Sequence, residues 1–171
     1  MLPKNVADLL NEQINKEFYS AYLYLEMNNY FERRGLHGFA HWYHVQALEE
    51  LDHAMLIYQY LHDEEFDVKL KAIANPTHAF VADRDVLETA LDHEKYVTAS
   101  IHAIYETALD ENDFRTQQFL DWFIKEQAEE EVNAKEMLTK IDLFETDSKA
   151  LYLIDRELSY RVHEAPAKLE L

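Results

Sequence analysis

Apolar side chains recur along this chain at alternating steps of three and four, the spacing that lines one face of an α-helix. Four long stretches carry such a stripe. From about Lys4 to Arg34 it reads Leu10, Ile14, Glu17, Ala21, Tyr24, Asn28 and Phe31; from Gly38 to about Asp63 it reads Phe39, Tyr43, Gln46, Glu50, His53, Ile57 and Tyr60. From about Asp83 to Asp110 it reads Leu87, Leu91, Glu94, Thr98, Ile101, Tyr105 and Ala108. From about Asp113 to Leu143 it reads Leu120, Phe123, Gln127, Glu130, Ala134, Met137 and Ile141. Pro3 suits the start of the first helix and Gly35 a left-handed stop, while Asp83 suits the cap of the third, with Asp85 in its first turn. A shorter stretch, "SKALYLIDRELSYR", predicts a fifth helix over about 147–161, with Leu151, Leu153, Ile154 and Leu158 set to pack at a subunit contact, and a polar tail over 162–171.

Only 2 Gly and 3 Pro interrupt 171 residues, which disfavours turn-rich sheets and predicts an all-α protein folded as one domain over 1–171. Gly35 and Gly38 bracket a connection short enough to make antiparallel neighbours of the first two helices. The segment between Glu65 and Asp83 breaks the helical pattern, with "ANPT" at 74–77. About 18 extended residues reach up to ~59 Å, more than the ~42 Å of a 28-residue helix. The expected architecture is therefore a four-helix bundle, about residues 4–143, with one long crossover between helices two and three.

With 16 basic and 34 acidic residues the net charge is −18, which repels phosphate backbones and anionic lipid surfaces and attracts cations. Nucleic acid and membrane are not expected partners, and without an export signal or an 18-residue apolar run the protein is expected in the cytoplasm. There is no Cys, so a metal site must be built from carboxylate, imidazole and amide groups.

Each of the four stripes carries an acid near its middle. Measured from the two helix–helix turns, Glu17, Glu50 and His53 of the first hairpin and Glu94, Gln127 and Glu130 of the second fall at matched depth. A shift of 77 residues carries Glu17 onto Glu94, Glu49 onto Glu126, Glu50 onto Gln127 and His53 onto Glu130. The match elsewhere is poor, so these positions carry the repeat. A lone Glu on a helix stripe is ordinarily a solvated edge residue, and a lone His a hydrogen-bonded core residue. Six such groups at one level are another matter, because four buried carboxylates cost several kcal/mol each unless they take up protons or find cations. Two divalent cations balance the four charges, and flexible carboxylates with one imidazole suit iron.

This constellation resembles the ferritin-like di-iron carboxylate proteins, in which two helices give one Glu each and the other two a Glu-x-x-His each. Glu17 with "ELDH" at 50–53 fits that pattern; Glu94 with "QAEE" at 127–130 departs from it in the direction of bacterial non-haem ferritin. "LNEQINKEFYSAYLYLEM" at 10–27, "EELDHAMLIYQYL" at 49–61, "FLDWFIKEQAEEE" at 119–131 and "LYLIDRELS" at 151–159 extend the resemblance over nearly the whole chain.

The resemblance implies a shell of twenty-four subunits that oxidises Fe(II) with dioxygen or hydrogen peroxide and stores the ferric mineral inside. It implies one iron on Glu17, Glu50 and His53, with Glu50 bridging to a second on Glu94 and Glu130. Gln127 lies on the oxygen side, and Tyr24 stands beside the centre to give a hydrogen bond or an electron. A third iron position uses Glu49, Glu126 and Glu129 and shares Glu130. Asp52 stands where haem-binding relatives use Met, so no haem is expected.

Two other readings compete. A di-iron oxygenase, desaturase or peroxidase acting on an organic substrate ordinarily keeps both Glu-x-x-His motifs and needs a substrate pocket, and the lack of Cys speaks against a rubrerythrin. A bundle holding a regulatory metal, or none, would consume no oxygen with iron.

Overall fold

The computed structural model describes residues 2–76, 79–144 and 146–166. Five helices follow in order: α1 Lys4–Arg34, α2 His37–Asp63, α3 Asp83–Asp110, α4 Phe114–Phe144 and α5 Ser148–Leu158. Among the described residues there is no strand, and no helix is long and apolar enough to cross a membrane. The expected all-α bundle with a short fifth helix is the observed one.

The turns form where the local chemistry permits them. Gly35 ends α1 with φ 74°, its N–H donating to the Glu32 carbonyl and that of Leu36 to the Phe31 carbonyl, so α2 can fold back at once. Between α3 and α4, Asn112 adopts φ 57°, the left-handed region that Asn tolerates best after Gly. Asp113 then accepts from the Thr116 N–H at 3.2 Å and starts α4.

Helix polarity follows from the two ends. Asn5, at the start of α1, donates to Glu111 after the end of α3 (2.7 Å), and Arg34, at the end of α1, donates to Asp83 at the start of α3 (2.9 and 3.0 Å). Thus α3 runs antiparallel to α1, and the segment after α2 must climb the length of the bundle. Asn11 holds that crossover in passing, accepting from the Lys69 N–H and donating to the Lys69 carbonyl.

Three expectations need correction. Asp83 is the first residue of α3 rather than its cap, since its carboxylate is taken by Arg34 and by the Tyr30 hydroxyl; the Asp85 carboxylate reaches back to accept from the Ala82 N–H at 3.0 Å instead. The fifth helix ends at Leu158, with Ser159 and Tyr160 in a turn and residues 161–166 in no regular structure, Arg161 and His163 lying against α2. Ile154 and Leu158 are buried within this chain's own core, while Leu153 is exposed. The part of the expected tail beyond 166 lies outside the described residues.

The docking of α5 also completes α2. Leu36 offers no capping side chain, and Asp155 of α5 supplies the missing acceptor to the Gly38 and Phe39 N–H groups at 2.8 and 3.0 Å. The approach is possible because position 38 has no side chain: a Cβ there would lie 1.5 Å from the Asp155 carbonyl oxygen. Gly38→Ala should therefore displace α5, cost ~1–3 kcal/mol as overpacking does, lower the denaturant midpoint and expose residues 148–158 to limited proteolysis.

Candidate metal centre

Apolar packing divides along the bundle. One buried cluster gathers Tyr24, Met27, Phe31, Phe39, Tyr43, Leu87 and Met137; another gathers Leu10, Ile14, Ile57, Ile101, Leu120 and Phe123. The polar residues of the four stripes lie between them in sequence and in space. Glu17, Glu50 and Glu94 are each 1 % exposed and Glu130 4 %. The interval of three residues puts His53 one turn below Glu50, and Glu17 faces both from α1. Ligand atoms of Glu17, Glu50 and His53 lie within 4.8 Å of one another, close enough for a single cation. His53 is held by edge contacts with Trp122 and Phe123.

The second hairpin faces this trio. Glu94 accepts from the Tyr24 hydroxyl through one oxygen and from Gln127 Nε2 at 3.1 Å through the other, and Glu130 accepts from Gln46 Nε2 at 2.7 Å. Neither acid falls within the 4.8 Å group, but both act on Glu50. Burial first, and then Glu94 and Glu130, push the Glu50 carboxyl well above its ordinary range. Burial and Glu50 raise Glu17; burial raises Glu94; burial and Glu94 push Glu130 up to about 8. Burial, followed by Glu94, likewise raises the Tyr24 hydroxyl.

Donors are in short supply where the acids converge. Glu17 Oε2 and Glu50 Oε2 are fully buried without a hydrogen-bond partner. An orphaned buried carboxylate oxygen is costly, and two beside an imidazole nitrogen make a ready-made cation site.

Comparison with known proteins agrees with that chemistry. The family model described as ferritin-like domain matches residues 7–144. A bacterial non-heme ferritin from Campylobacter jejuni is 38% identical over 156 residues, covering 91% of this chain and 93% of the relative; a probable bacterial non-heme ferritin-like protein from Haemophilus influenzae is 37% identical over 158 residues, covering 92% and 96%. Among solved structures, a closed form of the Archaeoglobus fulgidus ferritin obtained by site-directed mutagenesis superposes with TM-score 0.93 at 40% identity, covering 96% of this chain and 100% of that one. The chain belongs to the ferritin family.

As a ferritin it stores iron, and the buried trio of Glu17, Glu50 and His53 fits the first half of a di-iron centre. The remaining residues expected from the sequence are also brought together. Glu49, Glu126 and Glu129 line a cavity of about 400 Å3 with His53, Glu130 and Arg161. Next to it, sharing Glu130 and Asn133, a smaller pocket of about 20 Å3 is bordered by Tyr24, Gln46 and Glu94, room for about one water-sized molecule.

Two supporting elements of this ferritin were not singled out from its sequence. Gln13 sits one turn before Glu17, donates to Glu17 Oε1 at 2.8 Å and accepts from Ser100 at 2.6 Å; Lys16 in turn donates to Ser100. The thread Lys16–Ser100–Gln13–Glu17 fixes one Glu17 oxygen and leaves the other free. Its signal in the sequence is only an i, i+4 Gln–Glu pair, and Ser100 comes from a helix 87 residues away. The other element is Gln46, on the second stripe one turn before Glu50, whose amide is oriented by Arg161.

Two measurements test these features. Gln13→Leu removes the donor that fixes Glu17 and should weaken binding of the first Zn(II) about 10–100-fold by calorimetry, with helicity unchanged. The second concerns pH. An acid whose folded pKa is raised stabilises the fold fully below its ordinary value and loses that contribution as pH rises through the raised one. With Glu130 moving from 4.5 to about 8 and its neighbours raised as well, chelator-treated protein should lose stability from pH 5 to 8. The slope reaches up to ~1.4 kcal/mol per pH unit for each titrating group. Denaturant titrations across that range should show the decline, and Zn(II) should abolish it.

Proposed function

We propose that this ferritin is a ferroxidase as well as a store: Fe(II) is oxidised by dioxygen or hydrogen peroxide at an intrasubunit paired site, and the ferric product mineralises inside a hollow shell of twenty-four copies in the cytoplasm. The orphaned oxygens of Glu17 and Glu50 beside His53 carry this reading. One Fe(II) is held by Glu17, Glu50 and His53. The second is held by Glu94 and Glu130, with Glu50 shared between the two as the likeness to ferritins implies; burial and the charges of Glu94 and Glu130 already act on that carboxyl.

The roles of the chain's residues follow from their bonds. The net charge of −18 draws cations toward the shell. Metal binding displaces the protons that burial would otherwise keep on the carboxyls. Gln127 and Tyr24 hold Glu94 by its two oxygens, and Tyr24, which borders the small pocket, gives the oxidant an electron, or a hydrogen bond once its hydroxyl turns from Glu94. Glu49, Glu126 and Glu129, sharing Glu130, form a third iron position on the side of the larger cavity. No haem takes part.

The small void bears on the competing enzyme reading. About 20 Å3 is room for a water-sized molecule beside Tyr24 and Glu94, and the larger cavity is rich in carboxylates that suit cations. Iron itself is the substrate that fits.

The test adds excess Fe(II) aerobically to metal-free protein and follows oxygen uptake, then particle size and iron content by size-exclusion chromatography with in-line scattering. A particle near twenty-four subunits with many irons per chain is expected. Glu50→Ala should assemble normally and oxidise iron at least ~100-fold more slowly; unchanged kinetics would overturn the assignment. A small oligomer retaining only two or three irons per chain would overturn the shell.

A further inference from the structure

After α5 the chain turns and runs back along α2. His41 Nε2 donates to the Arg161 carbonyl at 2.8 Å, and His163 Nε2 lies 2.7 Å from Asp52 Oδ2, so the segment is pinned at both ends of a stretch flanking the acid layer. Between these pins the Arg161 guanidinium stacks over the Trp42 ring, 4.0 Å from its centroid. One of its nitrogens donates to Gln46 Oε1 at 2.7 Å and the other to Glu49 Oε2. The Arg161 and Glu49 side chains are only 15% and 17% exposed.

A guanidinium has donors and no acceptors, so Gln46 must turn its oxygen toward Arg161. Its amide nitrogen is then directed the other way, to Glu130 Oε2 at 2.7 Å. Arg161 thereby touches Glu49 directly and fixes Glu130 through one amide, two acids of the cavity that also contains Glu126 and Glu129. Among the described residues it is the one Lys or Arg lining that cavity, to which Glu164 of the same segment adds a fifth carboxylate. A divalent ion seated on Glu49 and Glu130 must compete for the same oxygens, and it carries the larger charge.

We propose that Arg161 is a positioning residue of the iron-handling site: it occupies the cation position at Glu49, presets Glu130 through Gln46, and is displaced when a metal ion fills the third position. This rests on the proposed third iron position, and it makes binding there a competition between an ion and the chain's own C-terminal segment. The segment sets how weakly the third ion is held and therefore how readily it moves on into the cavity. The first half of the paired site, whose Glu17, Glu50 and His53 make no contact with Arg161 among the bonds described, fills first, and the second half shares Glu130 with the third position.

Hydrogen exchange of residues 159–166 tests this directly when Zn(II), which binds without being oxidised, is added stepwise to the assembled, metal-free protein and each equivalent is located by calorimetry. In the wild type, protection of the segment should survive the first two equivalents and fall with the third. In Arg161→Gln the third equivalent should bind about tenfold tighter, with the first, on Glu17, Glu50 and His53, unchanged and the second, which shares Glu130, shifted less than the third; Arg161→Lys should restore most of the competition. Three equivalents with equal affinities in all proteins and constant protection would overturn the displacement while leaving the third position in place. Two equivalents throughout would overturn both the displacement and the third position. Failure to bind the first two would overturn the paired site as well.

Discussion

Four carboxyl groups share one buried layer, and most other features of this chain are arranged around that fact. Left to themselves, Glu17, Glu50, Glu94 and Glu130 repel one another in a medium that solvates them poorly, and burial raises the pKa of each. Protons relieve the strain at low pH and divalent cations relieve it at neutral pH. Because the layer separates two apolar clusters, it is framed on both sides by packed aromatic and aliphatic side chains that hold the helices apart at a fixed spacing. The energy for holding like charges together thus comes from ordinary hydrophobic burial above and below them.

Three of the four acids are steadied by neutral donors: Gln13 for Glu17, Tyr24 and Gln127 for Glu94, Gln46 for Glu130. Neutral donors fix a carboxylate without cancelling its charge, which leaves the charge available to an incoming ion. Glu50 has no such donor. His53 Nδ1 lies 3.5 Å from its Oε2, and in the proposed mechanism Glu50 is the acid shared by two ions.

Much of this was legible in the sequence because helices impose a strict period. The stripes at steps of three and four give the facing sides, and the glycine after Arg34 and the long interruption after Asp63 give the connectivity. Equal distances from the two turns then place the acids at one level. What escaped depends on contacts between elements distant in sequence. Asp83 reads locally as a cap, but Arg34 and Tyr30 claim it. Leu153 reads as part of an apolar face, but Leu151, Ile154 and Leu158 pack on the core once Asp155 has docked on α2, and Leu153 stays exposed. Nothing in the neighbourhood of Arg161 reveals that it returns to Trp42 and Glu49, 119 and 112 residues away.

The crossover between α2 and α3 bears on how such a site is assembled. It assigns Glu17, Glu50 and His53 to one helical hairpin and Glu94, Gln127 and Glu130 to the other. Each hairpin closes through a link of two or three residues and so forms from local contacts, which are fast to make. The like charges of the two halves meet only when the hairpins dock, at the last and most non-local step. The repulsion between the halves therefore falls on docking, where iron or protons already gathered by one hairpin can speed assembly of the whole subunit.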